Sequence, residues 1–193
     1  MTDRDFVVCP GCGQSLPDRD LDPPGYYNAT GECLETYFDL TCWTLVRQDS
    51  RFVHQHVVDA YAAQHAGERM RPITTAFALI GLYLAVEKGY TGRQVQLVHM
   101  KIGGRRRDWP RLEPPRDRGE LTVMDVLLAV TDAEKEEMLM RWAASVWQTW
   151  EHRHRWVRET TEKVLDDAGP SFTRARRAGR WLSAEGRPGE RRR

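Results

Sequence analysis

Apolar residues recur three and four positions apart along much of the chain after residue 32, which is the spacing of one face of an α-helix. Residues 32–48, 51–65 and 72–88 all follow this pattern, and the last of these segments is apolar around most of its surface. Pro72 suits a first helical turn, and Gly89 lies just past the predicted end of the helix, where glycine commonly terminates helices. The pattern therefore predicts three helices, with the third central to the core.

The segment 90–120 is less regular, because a short alternating stretch at 95–102 is followed by two glycines and a proline-rich run. It is compatible with a fourth helix and a long loop, or with a short hairpin within 95–110.

Helical spacing returns after residue 120. Thr122 is a suitable N-cap for one helix, and Thr131 or Asp132 for a long one that ends at Gly169 and Pro170. The fold class predicted is mainly α: a single-domain bundle of about five helices over residues 1–169, with residues 170–193 as a separate basic tail.

Residues 1–32 are rich in proline, glycine and aspartate and show neither a helical nor a strand period. A segment of this composition needs an external staple to be ordered. Two cysteines lie inside it and a third follows directly, which indicates that these cysteines supply the staple.

Composition places the chain among globular proteins, with 40% apolar and 30% charged residues. No apolar run approaches the roughly 20 residues of a membrane helix, and the acidic start "MTDRDFVV" is unlike a secretory signal. The expected location is the cytoplasm.

Net charge is +1, which argues against a nucleic-acid binder. The arginine-rich tail is either a solvated segment or a contact for an anionic partner.

The sequence "CPGCG" places Cys9 and Cys12 two residues apart in a turn-forming context, as in zinc knuckles. Cys33 follows after a loop of about 20 residues, a usual separation for a third ligand. A redox dithiol would normally begin a helix after a strand, and no such context is present here. We therefore favour zinc over a redox pair or unrelated buried thiols.

For the fourth ligand the sequence favours His54, at the start of the second predicted helix. Cys42 lies in the apolar rhythm of the first helix and is more simply a small core residue. Cys42 and His56 remain alternatives.

The stretch "HVVDAYAAQH" at 56–65 holds further candidates. His54 and His65 share a helix face, but they are about 16 Å apart along it, so they cannot bind the same ion. His65 could instead join His154, with Tyr61 or Asp59 nearby, in a second metal site or an acid–base pair. The plainer interpretation is that these histidines cap helices or pack against tryptophan.

Several stretches together resemble a bacterial family defined only as a domain of unknown function. They are "CPGCG", Tyr26 or Tyr27, Cys33, His54 followed by "VDAYAAQH" at 58–65, "LTVMDV" at 121–126, and Trp150, His154, Val157 and Arg158. The likeness covers roughly residues 8–158 and implies no stated activity. In this pattern the histidine aligns with His54. The chain departs from it at Leu34, where a tryptophan is expected, and near Ala78, where a histidine is expected, so a site that used that histidine would be reduced here.

Two functional hypotheses follow. The first is a zinc-binding helical protein with a structural ion and a regulatory or binding role, held by Cys9, Cys12, Cys33 and His54. The alternative is a metalloenzyme or acid–base enzyme that uses His65 and His154 in an aromatic-walled pocket. A closed site of three cysteines and one histidine leaves no position for a catalytic water, which favours the first hypothesis.

Overall fold

The computed structural model describes residues 6–103 and 108–166, and over this part of the chain the fold is mainly helical, as predicted. Two short strands, β1 (Phe6–Val8) and β2 (Ser15–Pro17), precede the helices. The helices are α1 (Gly31–Val46), α2 (His54–Gln64), α3 (Pro72–Val86), α4 (Gly92–Gly103), α5 (Val123–Leu128), α6 (Asp132–Thr149) and α7 (His154–Asp166). None of these helices is long and apolar enough to cross a membrane. The basic segment 170–193 lies outside the described residues.

The core forms around α2, α3 and α6, which pack against one another. Helix α3 is buried on most of its surface, in agreement with its nearly continuous apolar sequence. Gly81 allows α3 to come very close to α2, because a Cβ atom there would lie 2.0 Å from Oδ2 of Asp59. A side chain at this position would force the two helices apart.

The prediction for residues 95–110 is corrected in favour of the helix. Helix α4 spans Gly92–Gly103 and buries Val95, Val98 and Ile102, whose spacing is helical. A capping box starts it: Gln94 N donates to Oγ1 of Thr91 at 3.3 Å, and Thr91 N donates to Oε1 of Gln94 at 2.8 Å. The hairpin lies instead at the beginning of the described chain, where β1 pairs antiparallel with β2 and Val7 stands opposite Leu16.

The single long helix predicted from residue 131 onward is wrong, because the chain breaks after α6. A 3₁₀ turn at Glu151–Arg153 separates α6 from α7. Trp150 is fully buried at the break, and the ring of His154 stacks on Trp147 at 3.7 Å, with His154 Nε2 donating to the Trp147 carbonyl oxygen at 2.9 Å. These contacts turn α7 onto α3. The helical spacing of apolar residues continues through the break, so this spacing alone does not reveal that the helix ends.

Candidate metal centre

The two cysteines of "CPGCG" lie in the turn that joins β1 to β2. Cys9 N donates to the carbonyl oxygen of Gln14 at 2.8 Å, and Gly13 N donates to that of Cys9 at 2.9 Å. These bonds close a tight turn, and both cysteines are buried within it. The turn thus brings two sulfur atoms to one side of the hairpin.

Cys33 comes from the first turn of α1. Thr30 caps this helix, and its hydroxyl oxygen accepts a hydrogen bond from Cys33 N at 3.3 Å. The amino end of a helix carries a partial positive charge, which favours a thiolate at this position. Cys33 is completely buried.

The fourth side chain is His65, at the carboxyl end of α2. Its Nδ1 lies 3.0 Å from the carbonyl oxygen of Tyr61. Because that carbonyl can only accept, Nδ1 carries the proton and Nε2 keeps its lone pair for a ligand. Nε2 lies 3.3 Å from Sγ of Cys33, and the ring is fixed by stacking on Tyr61 at 3.9 Å.

The ligand atoms of Cys9, Cys12, Cys33 and His65 all lie within 4.8 Å of one another and could hold a metal ion. In a tetrahedron with metal–sulfur bonds of about 2.3 Å, neighbouring sulfurs are about 3.8 Å apart, and sulfur and nitrogen about 3.6 Å. Sγ of Cys12 and Sγ of Cys33 are 3.8 Å apart, and the sulfur–nitrogen distance given above is close to the expected edge. The four side chains therefore fit a tetrahedral ion.

The three thiols differ widely in pKa. Hydrogen bonds from Cys12 and Cys33 lower the pKa of Cys9 far below its ordinary value. The Cys33 thiol also lowers the pKa of Cys12, but the hydrogen bond to Cys9 and burial outweigh it and raise that pKa to about 12. Hydrogen bonds to Cys12 and Cys9, together with burial, raise the pKa of Cys33. Without a cation the cluster thus stabilises one thiolate, whereas a divalent cation can stabilise all three.

A surrounding layer of contacts holds the ligands in place. Asn28 joins two of the ligand-bearing segments, because its backbone N donates to the His65 carbonyl oxygen at 2.9 Å and its Nδ2 to that of Pro10 at 3.3 Å. The hydroxyl of Tyr61 donates to Sγ of Cys33 at 3.7 Å. Gly11 lies so close to His65 that a Cβ atom there would be 2.5 Å from Cδ2 of the imidazole ring. Such outer contacts orient the ligands of metal sites.

Of the four expected ligands, the structure brings Cys9, Cys12 and Cys33 together but does not bring His54 to them. Nδ1 of His54 lies 2.8 Å from the hydroxyl of Thr44, at the opposite end of α2 from His65. The argument from helix length, that His54 and His65 cannot share an ion, agrees with this arrangement, but the sequence reasoning chose the other end of the helix.

The two alternatives for the fourth ligand also lie outside the group. Cys42 is exposed on α1. His56 is buried, and its Nδ1 has no hydrogen-bond partner among the described residues. Two sequence signals concerned His65: its place at the predicted end of its helix, and its place as the last residue of the "VDAYAAQH" string.

The remaining candidates fall into three environments. Tyr61 contacts the metal group through Sγ of Cys33, whereas His154 packs on Trp147 at the start of α7. Asp59 is buried between α2 and α3, where Nε2 of Gln55 donates to its Oδ1 at 3.0 Å. Burial raises the pKa of Asp59 well above its ordinary value. His65 thus contacts Cys33 and Tyr61, whereas His154 contacts Trp147, and no contact joins the two histidines in the part of the chain that the structure describes.

Comparison with known proteins adds a family but no activity. A family model described as "Family of unknown function (DUF5946)" matches residues 7–151, which include all four residues of the metal group. No curated protein and no solved structure matches the chain.

Proposed function

The chain belongs to the DUF5946 family, whose function is unknown, and we propose that it is a zinc-binding protein whose ion is structural. Cys9, Cys12, Cys33 and His65 would hold one Zn²⁺. The observation that carries this proposal is the convergence of four buried ligand atoms within 4.8 Å from three separate stretches of the chain.

The chemistry of the four ligands supports zinc. Thiolate sulfur and imidazole nitrogen are the ligands of structural zinc sites, and sites dominated by thiolates disfavour magnesium and calcium, which take oxygen. One tetrahedral ion would bind the lone pair of His65 Nε2, which faces Sγ of Cys33 at 3.3 Å, and relieve the crowding of the three sulfurs.

A structural rather than catalytic ion fits the way that the site is closed. Four protein ligands fill a tetrahedron and leave no position for water or substrate. The ion would fasten the β1–β2 hairpin to the first turn of α1 and the last turn of α2, and so order a segment with almost no core of its own. The proposed role of the chain is accordingly that of a binding or regulatory module.

The test is the metal content of the purified protein and of matched variants. We expect one zinc per chain, and we expect Cys33→Ser and His65→Gln to lose most of it because each removes one ligand. The matched controls are Cys42→Ser and His54→Gln, which change the same residue types outside the group and should keep the zinc. Cobalt substitution would add a check, since tetrahedral thiolate coordination gives an intense visible absorption.

Two results would contradict the proposal. One is folded protein that contains no zinc and takes none up. The other is retention of zinc by His65→Gln together with its loss from His54→Gln, which would restore the ligand set expected from the sequence.

A further inference from the structure

A cleft of about 850 Å³ lies beside the metal group. Its walls come from three segments: residues 26–28, residues 67–69 and residues 111–118. Its volume is within the range of about 300–1,000 Å³ that is usual for sites of small molecules. The metal centre as proposed makes no use of this cleft.

Three arginines line the cleft, Arg69, Arg111 and Arg118, and none of them forms an ion pair within the described part of the chain. Arg111 donates to the carbonyl oxygen of Glu68 at 2.6 Å, and Arg118 donates to those of Gln64 and Ala66 at 2.9 and 3.1 Å. These bonds to carbonyl oxygens orient the guanidinium groups of Arg111 and Arg118 but do not neutralise their charge.

Three other arginines of the described structure are neutralised by carboxylates. Arg47 and Arg51 both pair with Glu136 at 2.6 Å, and Arg158 pairs with Glu87 at 2.6 Å. Guanidinium groups that converge on a cleft with no carboxylate bound to them are suited to an oxyanion, which they can grip with two parallel hydrogen bonds.

The same cleft presents groups that suit a planar ring. The rings of Tyr26 and Tyr27 lie 4.5 Å apart at a tilt, and Tyr26 is 54% exposed, so its face is open to a stacking partner. The side chains of Asn28, Glu68 and Glu113 also line the cleft and offer oxygen acceptors for amino groups.

From these contacts we propose that the cleft is a binding site for a small organic phosphate or carboxylate that carries a planar, amino-bearing ring, as in a nucleoside monophosphate. The arginines bind the anionic group, Tyr26 stacks on the ring and the acceptors read its amino groups. The site is independent of zinc chemistry, but one of its walls is tied to the metal site, because the backbone N of Asn28, which lines the cleft, donates to the His65 carbonyl oxygen at 2.9 Å.

The experiment is a calorimetric titration of the purified full-length protein, with its metal content measured, using AMP, adenosine and inorganic phosphate as separate probes. We expect AMP to bind more tightly than either fragment, because only AMP engages both the arginines and the tyrosine. Arg69→Gln and Arg111→Gln should each weaken AMP binding about tenfold, the usual cost of one charged hydrogen-bond partner. Arg141→Gln is the matched control, because Arg141 lies on α6 beside Leu128 and Val130.

Arg69 is exposed and has no hydrogen bond or ion pair within the described structure, so Arg69→Gln should keep the fold, and circular dichroism with zinc content verifies this. Absence of AMP binding at millimolar concentration would overturn the proposal. So would AMP binding that Arg69→Gln and Arg111→Gln leave unchanged. Equal affinities for AMP and inorganic phosphate would refute the recognition of a ring.

Discussion

Replacement of Gly11 by alanine tests the geometry of the metal centre without altering any ligand. A Cβ atom at this position would lie 2.2 Å from the carbonyl oxygen of Asn28 and 2.5 Å from Cδ2 of His65. Both distances are about 1 Å shorter than ordinary van der Waals contact, so the knuckle must withdraw from His65. Gly11 does not have a left-handed φ, and the substitution therefore introduces crowding and no backbone strain.

The size of the effect follows from what the withdrawal breaks. Crowding a packed site costs about 1–3 kcal/mol. The carbonyl of Asn28 cannot move freely, because its own N–H is bonded to His65 at 2.9 Å, and loss of that bond costs about 1 kcal/mol more. The total of about 2–4 kcal/mol falls on the closed, metal-bound form, and it corresponds to a decrease in zinc affinity of about 30-fold to 1,000-fold.

The assay combines urea unfolding of the zinc-bound protein with competition for zinc against a chromophoric chelator. Gly25→Ala is the matched control, since a Cβ atom at Gly25 meets nothing within 4 Å, and its stability should stay within about 0.5 kcal/mol of the original. If Gly11→Ala matches Gly25→Ala in both measurements, the knuckle does not lie against His65 and the ligand set proposed here is refuted.

Two further substitutions probe residues outside the ligand set. Burial raises the pKa of Asp59, so above about pH 4 the folded protein keeps a proton that the unfolded chain releases, and the free energy of unfolding should fall by about 1.4 kcal/mol per pH unit until the pKa of the folded state is reached. Asp59→Asn should flatten this decline in urea unfolding measured across pH, and an unchanged slope would show that Asp59 is not its source. His154→Ala should lower the free energy of unfolding by about 2 kcal/mol, because it removes the stack on Trp147 and one hydrogen bond. Zinc content should stay at the original value, and its loss would place His154 in the metal centre.

Sequence patterns predicted the structure best where local features, such as helix-bounding residues and apolar spacing, agree with the tertiary packing. The third helix was expected over 72–88 and spans Pro72–Val86, because a proline at its first turn and a glycine after its end bound an apolar segment. The grouping of Cys9, Cys12 and Cys33 was also expected, since a knuckle cannot complete a tetrahedron by itself. These features depend on short spacings that can be read directly.

Other features could not be predicted, because they depend on contacts between residues far apart in the sequence. The break at Trp150 exists because α7 packs on α3, while the apolar rhythm passes through it undisturbed. The choice between His54 and His65 depended on which end of α2 meets the hairpin, and that is fixed by contacts such as Asn28 with His65. For α4 a local signal was present, the capping box of Thr91 and Gln94, and it outweighs the short alternating stretch that follows.

The ligand order along the chain bears on synthesis. His65 lies 53 positions after Cys12, and at 5–20 residues per second the ribosome needs about 3–10 seconds to deliver it once Cys12 is made. Until His65 is made, the cysteines already synthesised lack the imidazole that completes the proposed ligand set and are open to oxidation or to other metals. In the proposed site the hairpin is thus translated before α2 and is fastened by the ion only after α2 has emerged.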